Sequence, residues 1–428
     1  MIDNARDFLD SIFDYGDSGT TPPSSADRPV RLATVDAGFT FGLPRVLFDG
    51  ETLMGLKGYA WNAAGGWDPS PGDRVFLVPA GTSYVIGGPI RTNPAFLRQI
   101  PLVPYAPNGW KDYDSSYAAA NYNPATDKPA KFGYPRVTRS SSGWVIVTGL
   151  LSNAAGSTNG ALVTSLPAGF RPLSEVSFSA HNNSNTASAT VTVLVNGDIV
   201  ISGTAGAGYL NLGQIAFNNL VVPIALPLQN SWVNFGSTTA PAAYAKDVYG
   251  LCYASGAIKS GTAATYGITP AGYRPALNRT TYGAQSTPNS MVGVSIDSSG
   301  NLFPQPPNTN IRRDLDGFHW AEASTEANYV NMVYLASASY NTAAYPPLSY
   351  YSRPDGLVHV RGMINTVAAG SVISILPVGL RPSSNIMRNT DSGDSSHRLD
   401  IYGGSGQIVL ASSGASWASI DVLFAPEM

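Results

Sequence analysis

Charge is scarce in this sequence: Asp, Glu, Lys and Arg make up 12% of its 428 residues, with a net charge of -3, where about a quarter is usual. Without a basic excess there is no field to hold a phosphate backbone, and nucleic acid is excluded as an expected partner. Cys252 is the only cysteine, so no intrachain disulfide can form. Its apolar neighbours Leu251 and Tyr253 predict a buried, inert thiol. The four histidines, His181, His319, His359 and His397, are scattered through the chain with no metal or catalytic spacing; His359, between Val358 and Val360, reads as a solvent-side or hydrogen-bonded strand residue. No apolar run reaches the roughly 18 residues of a membrane span, so no membrane insertion is expected. The acidic start from Met1 to Asp7 is unlike a secretory signal, which implies synthesis in the cytoplasm without the usual export route. No G-x-S-x-G is present; the nearest stretch, Gly156-Ser157-Thr158-Asn159-Gly160, has threonine at the nucleophile position. No carboxylate pair suited to glycoside hydrolysis can be picked out. Neither an enzyme nor a cofactor is expected.

Glycine (44) and proline (32) are abundant, which fits short strands between many turns and an all-β fold. One short helix is predicted at residues 1–15, where Ile2, Ala5, Leu9 and Ile12 recur at helical spacing with Phe8 and Phe13 beside them. Two heptads cannot hold a helix in water alone, so this seam is expected to assemble with sister chains or a partner. Residues 16–29, rich in Gly, Ser, Thr and Pro, read as a linker. From 30 to 92 the period changes to two. Runs such as Arg31 to Val35, Pro44 to Glu51, Asp73 to Val78 and Ser83 to Gly87 alternate with Gly-containing turns, which suits a small closed barrel of the oligonucleotide/oligosaccharide-binding (OB) kind. Residues 93–109 contain four prolines and read as a connector.

The remainder is organised by a heptad that occurs three times: Leu166 to Pro172, Thr269 to Pro275 and Leu376 to Pro382, each containing Pro-x-Gly-x-Arg-Pro. Each is preceded by a strand closing on glycine, such as Trp144 to Gly149, Tyr249 to Gly256 and Leu357 to Gly362. Each is followed by a strand, a polar turn and a further strand, ending on Ile215/Phe217, Phe318/Trp320 and Val422/Phe424. Such extended self-similarity means one folding unit used three times. Three tandem β-sandwich modules are expected at 110–220, 228–322 and 333–428, laid end to end as an extended stalk. Within the heptads, Pro167, Pro270 and Pro377 interrupt ladder bonding and Gly169, Gly272 and Gly379 admit a bend. Arg171, Arg274 and Arg381 can hold carbonyls or a carboxylate, so the motif reads as structural.

Two stretches carry a resemblance. Arg31, "RVLFDGE" from Arg45, "PGDRV" from Pro71 and "GTSYVIGG" from Gly81 are similar to the barrel of phage tail spike, hub and minor tail proteins. The strand "GWVIVTG" from Gly143, "LPAGFRP" from Leu166 and the hairpin from Asn196 to Ile199, with their counterparts, resemble the β-sandwich modules that end many bacteriophage tail fibres and receptor-binding proteins. The resemblance implies a minor tail protein at the virion tail tip, homotrimeric, attached to other tail-tip proteins through its helix and barrel, with sandwiches facing host cell-surface polysaccharide. A purely structural tail-tip collar or spacer is the alternative, and a polysaccharide depolymerase a lesser one. Sugar recognition asks for aromatic faces and neutral polar groups, and 22 Tyr and 7 Trp are available. The expected ligand-binding set lies in the last module: Tyr350, Tyr351, Tyr402 and Trp417 with Asp391, Asp394 and His397. The segment from Asp391 to His397 is an oxygen-rich loop of a kind that can hold Ca²⁺, although a solvated turn without metal is the preferred reading.

Overall fold

A computed structural model describes residues 31–35, 45–48, 74–80 and 83–89, then 98–426 except 114–131, 133, 183–187, 204, 237–238, 262–264, 285–290, 306–311, 336–342, 366–367, 392–395 and 412–416. The expected helix and linker therefore lie outside the described residues. The described chain is all-β, its only helical segments being two 3-10 turns, Ala106–Asn108 and Ala323–Asn328. No described helix is long and apolar enough to cross a membrane.

Two compact units are formed, Met1–Phe96 and Leu97–Met428. In the first, four antiparallel strands stand in the order Val46–Phe48, Arg31–Val35, Arg74–Ala80, Ser83–Pro89. Their alternation points Ala33, Val35, Val46, Val75, Leu77 and Ile86 into one small core.

In the second unit each copy of the repeat builds two equivalent antiparallel ladders. The first ladder runs Ala216–Asn218, Trp144–Thr148, Arg136–Arg139, Arg98–Pro101 in copy one. In copy two it runs His319–Ala321, Leu251–Ser255, Ala243–Lys246, Ile224–Ala225, and in copy three Trp417–Phe424, Val358–Asn365, Ser349–Ser352, Val330–Asn331. The second ladder holds the strand before the heptad, the later hairpin and the strand after the heptad. These last strands are Val176–His181, Arg279–Ala284 and Ile386–Asp391. In copy three the pairing of Asp391 with Ser419 joins both ladders into one eight-stranded sheet. Part of the expected connector thus belongs to copy one. Arg98–Pro101 is an edge strand ending in proline, where no further ladder bond is needed, and Leu102 is in the core. Trp110, Trp232 and Tyr334, near the start of each copy, pack into or against that copy's own core.

The heptad is spent on one local structure. Phe170, Tyr273 and Leu380 donate their backbone N–H to the carbonyls of Pro167, Pro270 and Pro377, closing turns in which Gly169, Gly272 and Gly379 have φ near +85°. The arginine Nε then returns to the carbonyl five residues earlier, Arg171 to Leu166, Arg274 to Thr269 and Arg381 to Leu376. A hairpin glycine, Gly197, Gly300 or Gly406, lies against each arginine. The two glycine classes should respond differently to alanine. Around Gly169 a Cβ meets nothing within 4 Å, so Gly169→Ala should cost about 1–2 kcal/mol for the left-handed backbone alone. At Gly197 the same Cβ would lie 2.6 Å from the Leu166 carbonyl, so Gly197→Ala should shift the urea midpoint clearly further.

The copies are not laid end to end. A strand apolar on both faces must be covered on both; Trp144–Thr148 and Leu251–Ser255 are of this kind, and Val358–Asn365 is likewise buried along nearly its whole length, with His359 and Arg361 on its second face. Val145 and Val147 face the core of copy one, Cys252 and Ala254 that of copy two, and Val358 and Val360 that of copy three. The opposite faces supply Trp144 and Ile146, Leu251 and Tyr253, and Leu357 to a fourth core shared by all three copies, with Ala216, Ala245 and Leu423. The strands Val176–His181, Arg279–Ala284 and Ile386–Asp391 each contact the other two. Hydrogen bonds between copies follow a cycle. Asp316 of copy two accepts from the backbone N–H of Ser177 in copy one at 2.9 Å. Ser419 of copy three bonds the carbonyl of Thr280 in copy two, and Asn211 of copy one bonds that of Met387 in copy three at 2.9 Å. Since Ser177, Thr280 and Met387 hold the same register position in their copies, one chain closes on itself as a three-part ring.

Candidate functional site

The described residues of the expected ligand set lie on or beside four strands of copy three. Tyr350 and Tyr351 are successive strand residues and point to opposite faces. Tyr350 packs on the core of copy three, while the Tyr351 ring lies tilted against that of Tyr329, with centroids 5.4 Å apart. Asp391 closes one strand and pairs with Ser396, which opens the next, and His397 is buried opposite Thr390. Asp394 and the side chain of Asp391 lie outside the described residues. Tyr402 and Trp417 are half-buried, Trp417 at the start of the last strand. Cys252 is fully buried, and its surroundings push the thiol pKa up.

What the fold does gather lies between the copies. The three strand-preceding turns are alike in backbone, with Ser140, Asp247 and Arg353 donating to the carbonyls of Trp144, Leu251 and Leu357. Their side chains meet in a buried knot. Arg353 Nη2 reaches Asp247 Oδ2 at 2.5 Å and Asp355 Oδ2 at 3.0 Å, Ser142 donates to Asp355, and Trp144 Nε1 donates to Asp247 at 2.7 Å. Burial alone would raise the Asp355 carboxyl, but Arg353 outweighs it and holds it below its ordinary value. The same turn position thus carries a hydroxyl, a carboxylate and a guanidinium, which fixes the copies in one order around the ring.

A second cluster joins copies two and three. His359 Nε2 lies 2.7 Å and His319 Nε2 2.9 Å from the same oxygen, Asp421 Oδ1. Tyr329 Oη is 2.6 Å from His359 Nδ1, and His319 Nδ1 is 3.0 Å from the Gly317 carbonyl. Both rings and the carboxylate are largely buried, and the ring centroids are 5.1 Å apart. Burial depresses His359 to about 3, so this imidazole is neutral. Burial would raise Asp421, yet the two histidines outweigh it and hold its carboxyl well below the usual range. Nearby, Arg279 and Arg361 share Glu326, and Arg361 lies over the Tyr329 ring. Among the described residues this is the group of His, Cys, Asp and Glu side chains close enough to hold a metal ion, with ligand atoms within 4.8 Å of one another.

Reading along the chain misses this cluster because its members come from two copies. Aligning the copies by strand register finds it. His359 occupies the position of Ile146 and Tyr253, and His319 that of Ala216 and Leu423. Asp421, two residues before Leu423, matches Gln214 and Gly317. Comparison with known protein families, with curated proteins and with solved structures finds no match.

Proposed function

We propose that this chain is a structural component of a bacteriophage tail, a minor tail protein at the tail tip whose three sandwich modules meet the host surface, with cell-wall glycan as the ligand class. In this reading the N-terminal unit is the OB-like barrel that attaches to other tail-tip proteins, and the helix at 1–15 promotes self-association, trimeric by the resemblance. Support comes from the two stretches of sequence resemblance and from one structural observation that carries most weight, the cyclic packing of three copies of one β unit.

A second reading, the collar or spacer, is favoured by the fate of the expected ligand residues, since Tyr350 and His397 are committed to packing. Fluorescently labelled full-length chain, applied to a panel of bacterial strains and their extracted cell-wall glycans, separates the two. Saturable labelling that free glycan competes away is the expected result for a receptor-binding tip. Absence of labelling on every strain, with antibody against the chain still decorating tail tips in electron micrographs, would leave the spacer reading alone. Absence of the chain from purified particles would overturn both.

A further inference from the structure

We propose that His319, His359 and Asp421 bind one divalent transition-metal ion of the Zn²⁺ class, which clasps copy two to copy three. A carbonyl can only accept, so His319 Nδ1, 3.0 Å from Gly317 O, carries the ring proton. Nε2 of the same ring faces Asp421 Oδ1 at 2.9 Å. That nitrogen is buried without a hydrogen-bond partner, and a metal ion seated between it and the carboxylate would satisfy both. His359 Nε2 converges on the same oxygen at 2.7 Å. Two imidazoles and one carboxylate suit Zn²⁺ or its neighbours better than Mg²⁺ or Ca²⁺, which prefer all-oxygen shells. With tetrahedral metal–ligand bonds of about 2.0–2.2 Å, ligand atoms stand roughly 3.3–3.6 Å apart, so Asp421 Oδ1 has to draw back by about half an ångström or somewhat more from each histidine nitrogen.

The surroundings match a metal centre on two further counts. Gly317 O and Tyr329 Oη sit on the two Nδ1 atoms, where metal-bound histidines ordinarily donate their second N–H. A small cavity lined by Arg279, Thr280, Arg361 and Ser419 reaches all three side chains, leaving room for a fourth ligand. Because Arg279, Arg361 and Arg388 outnumber Glu326 in charge nearby, that ligand is expected to be an anion or a hydroxide. The repeat supplies the internal control. The fold is satisfied by Ile146 and Tyr253 where His359 stands, and by Ala216 and Leu423 where His319 stands. Histidine at these positions is therefore not demanded by packing.

The test uses full-length chain stripped with a chelator, dialysed, and titrated with ZnCl₂ and CoCl₂. Expected are saturable binding of one metal ion per chain in calorimetry and elemental analysis, and visible absorption bands of tetrahedral Co²⁺ that Zn²⁺ displaces. His319→Leu and His359→Tyr, which install the residues of the equivalent copies and so preserve packing, should each abolish the bands, with far-UV circular dichroism unchanged. Tyr329→Phe should weaken affinity about tenfold by removing the outer hydrogen bond. Failure of the wild-type chain to bind either ion stoichiometrically would overturn the proposal, as would Co²⁺ bands that survive in both His319→Leu and His359→Tyr.

Discussion

Arg353→Ala should lower the stability of the C-terminal unit by about 3–5 kcal/mol, as measured by the urea midpoint at neutral pH. The side chains of Arg353, Asp247 and Asp355 are 1%, 0% and 0% exposed, so removing the guanidinium strands two carboxylates away from water. Asp247 cannot turn elsewhere, because its other oxygen already accepts from the backbone of Tyr249 and Leu251. Arg353→Lys should recover only part of the loss, since a single ammonium cannot reproduce the Nε and Nη2 fork on Asp355. The pH dependence gives a sharper check. In the native chain the Asp355 pKa is held down, so its contribution is present above the unfolded pKa and lost as pH falls through the folded one. In Arg353→Ala the Asp355 carboxyl lacks its counter-ion, burial is left to raise its pKa, and the sign reverses. The variant should regain stability as pH is lowered from neutral toward about 5. An Arg353→Ala chain that melts like the wild type, or that loses further stability on mild acidification, would mean that the knot does not bind the copies together.

How much of this was legible beforehand depends on which physical signal each feature leaves in sequence. The heptad turns were legible because their chemistry is local: Pro-x-Gly sets a turn and the arginine five residues after Leu166 reaches back to it. The strands were legible from period-two runs and their glycine ends. The arrangement of the copies was not deduced, although a trace of it is present. Trp144-Val145-Ile146-Val147 is apolar at every position, as is Leu251-Cys252-Tyr253-Ala254, whereas a strand with one wet face alternates. These runs announce two buried faces but do not say what covers the second. A binding surface leaves a weaker trace in composition than a turn does. Tyrosine content points to sugar stacking only if the rings are free, and Tyr350 and Tyr351 pair with the core and with Tyr329. His319 and His359 carry no local signature, and become visible only when three copies are compared position by position.

Deletion of residues 330–428 gives the second large effect, because it separates a ring from a string. Were the copies independent beads, the chain ending at residue 329 would keep its native core and melt as before. In the ring, the shared core loses Leu357 and Leu423 and leaves Trp144, Ile146, Leu251 and Tyr253 facing water. Asp247 loses Arg353, the Thr280 carbonyl loses Ser419, and Asn211 loses the Met387 carbonyl. Asp247 keeps the Trp144 indole but loses its counter-ion, and the other two losses fall on groups whose cyclic partner lies in copy three. The truncated chain should therefore aggregate or expose apolar surface, read as dye binding and loss of near-ultraviolet circular dichroism. Co-expression of residues 330–428 as a separate polypeptide should restore a soluble complex, because the contacts that close the ring are non-covalent. A soluble, monomeric 1–329 chain with an unchanged melting transition would show that the third copy is dispensable to the other two. Host-binding experiments by module truncation would then be sound; in the ring they are not, and substitutions confined to exposed residues of the intact chain are the informative ones.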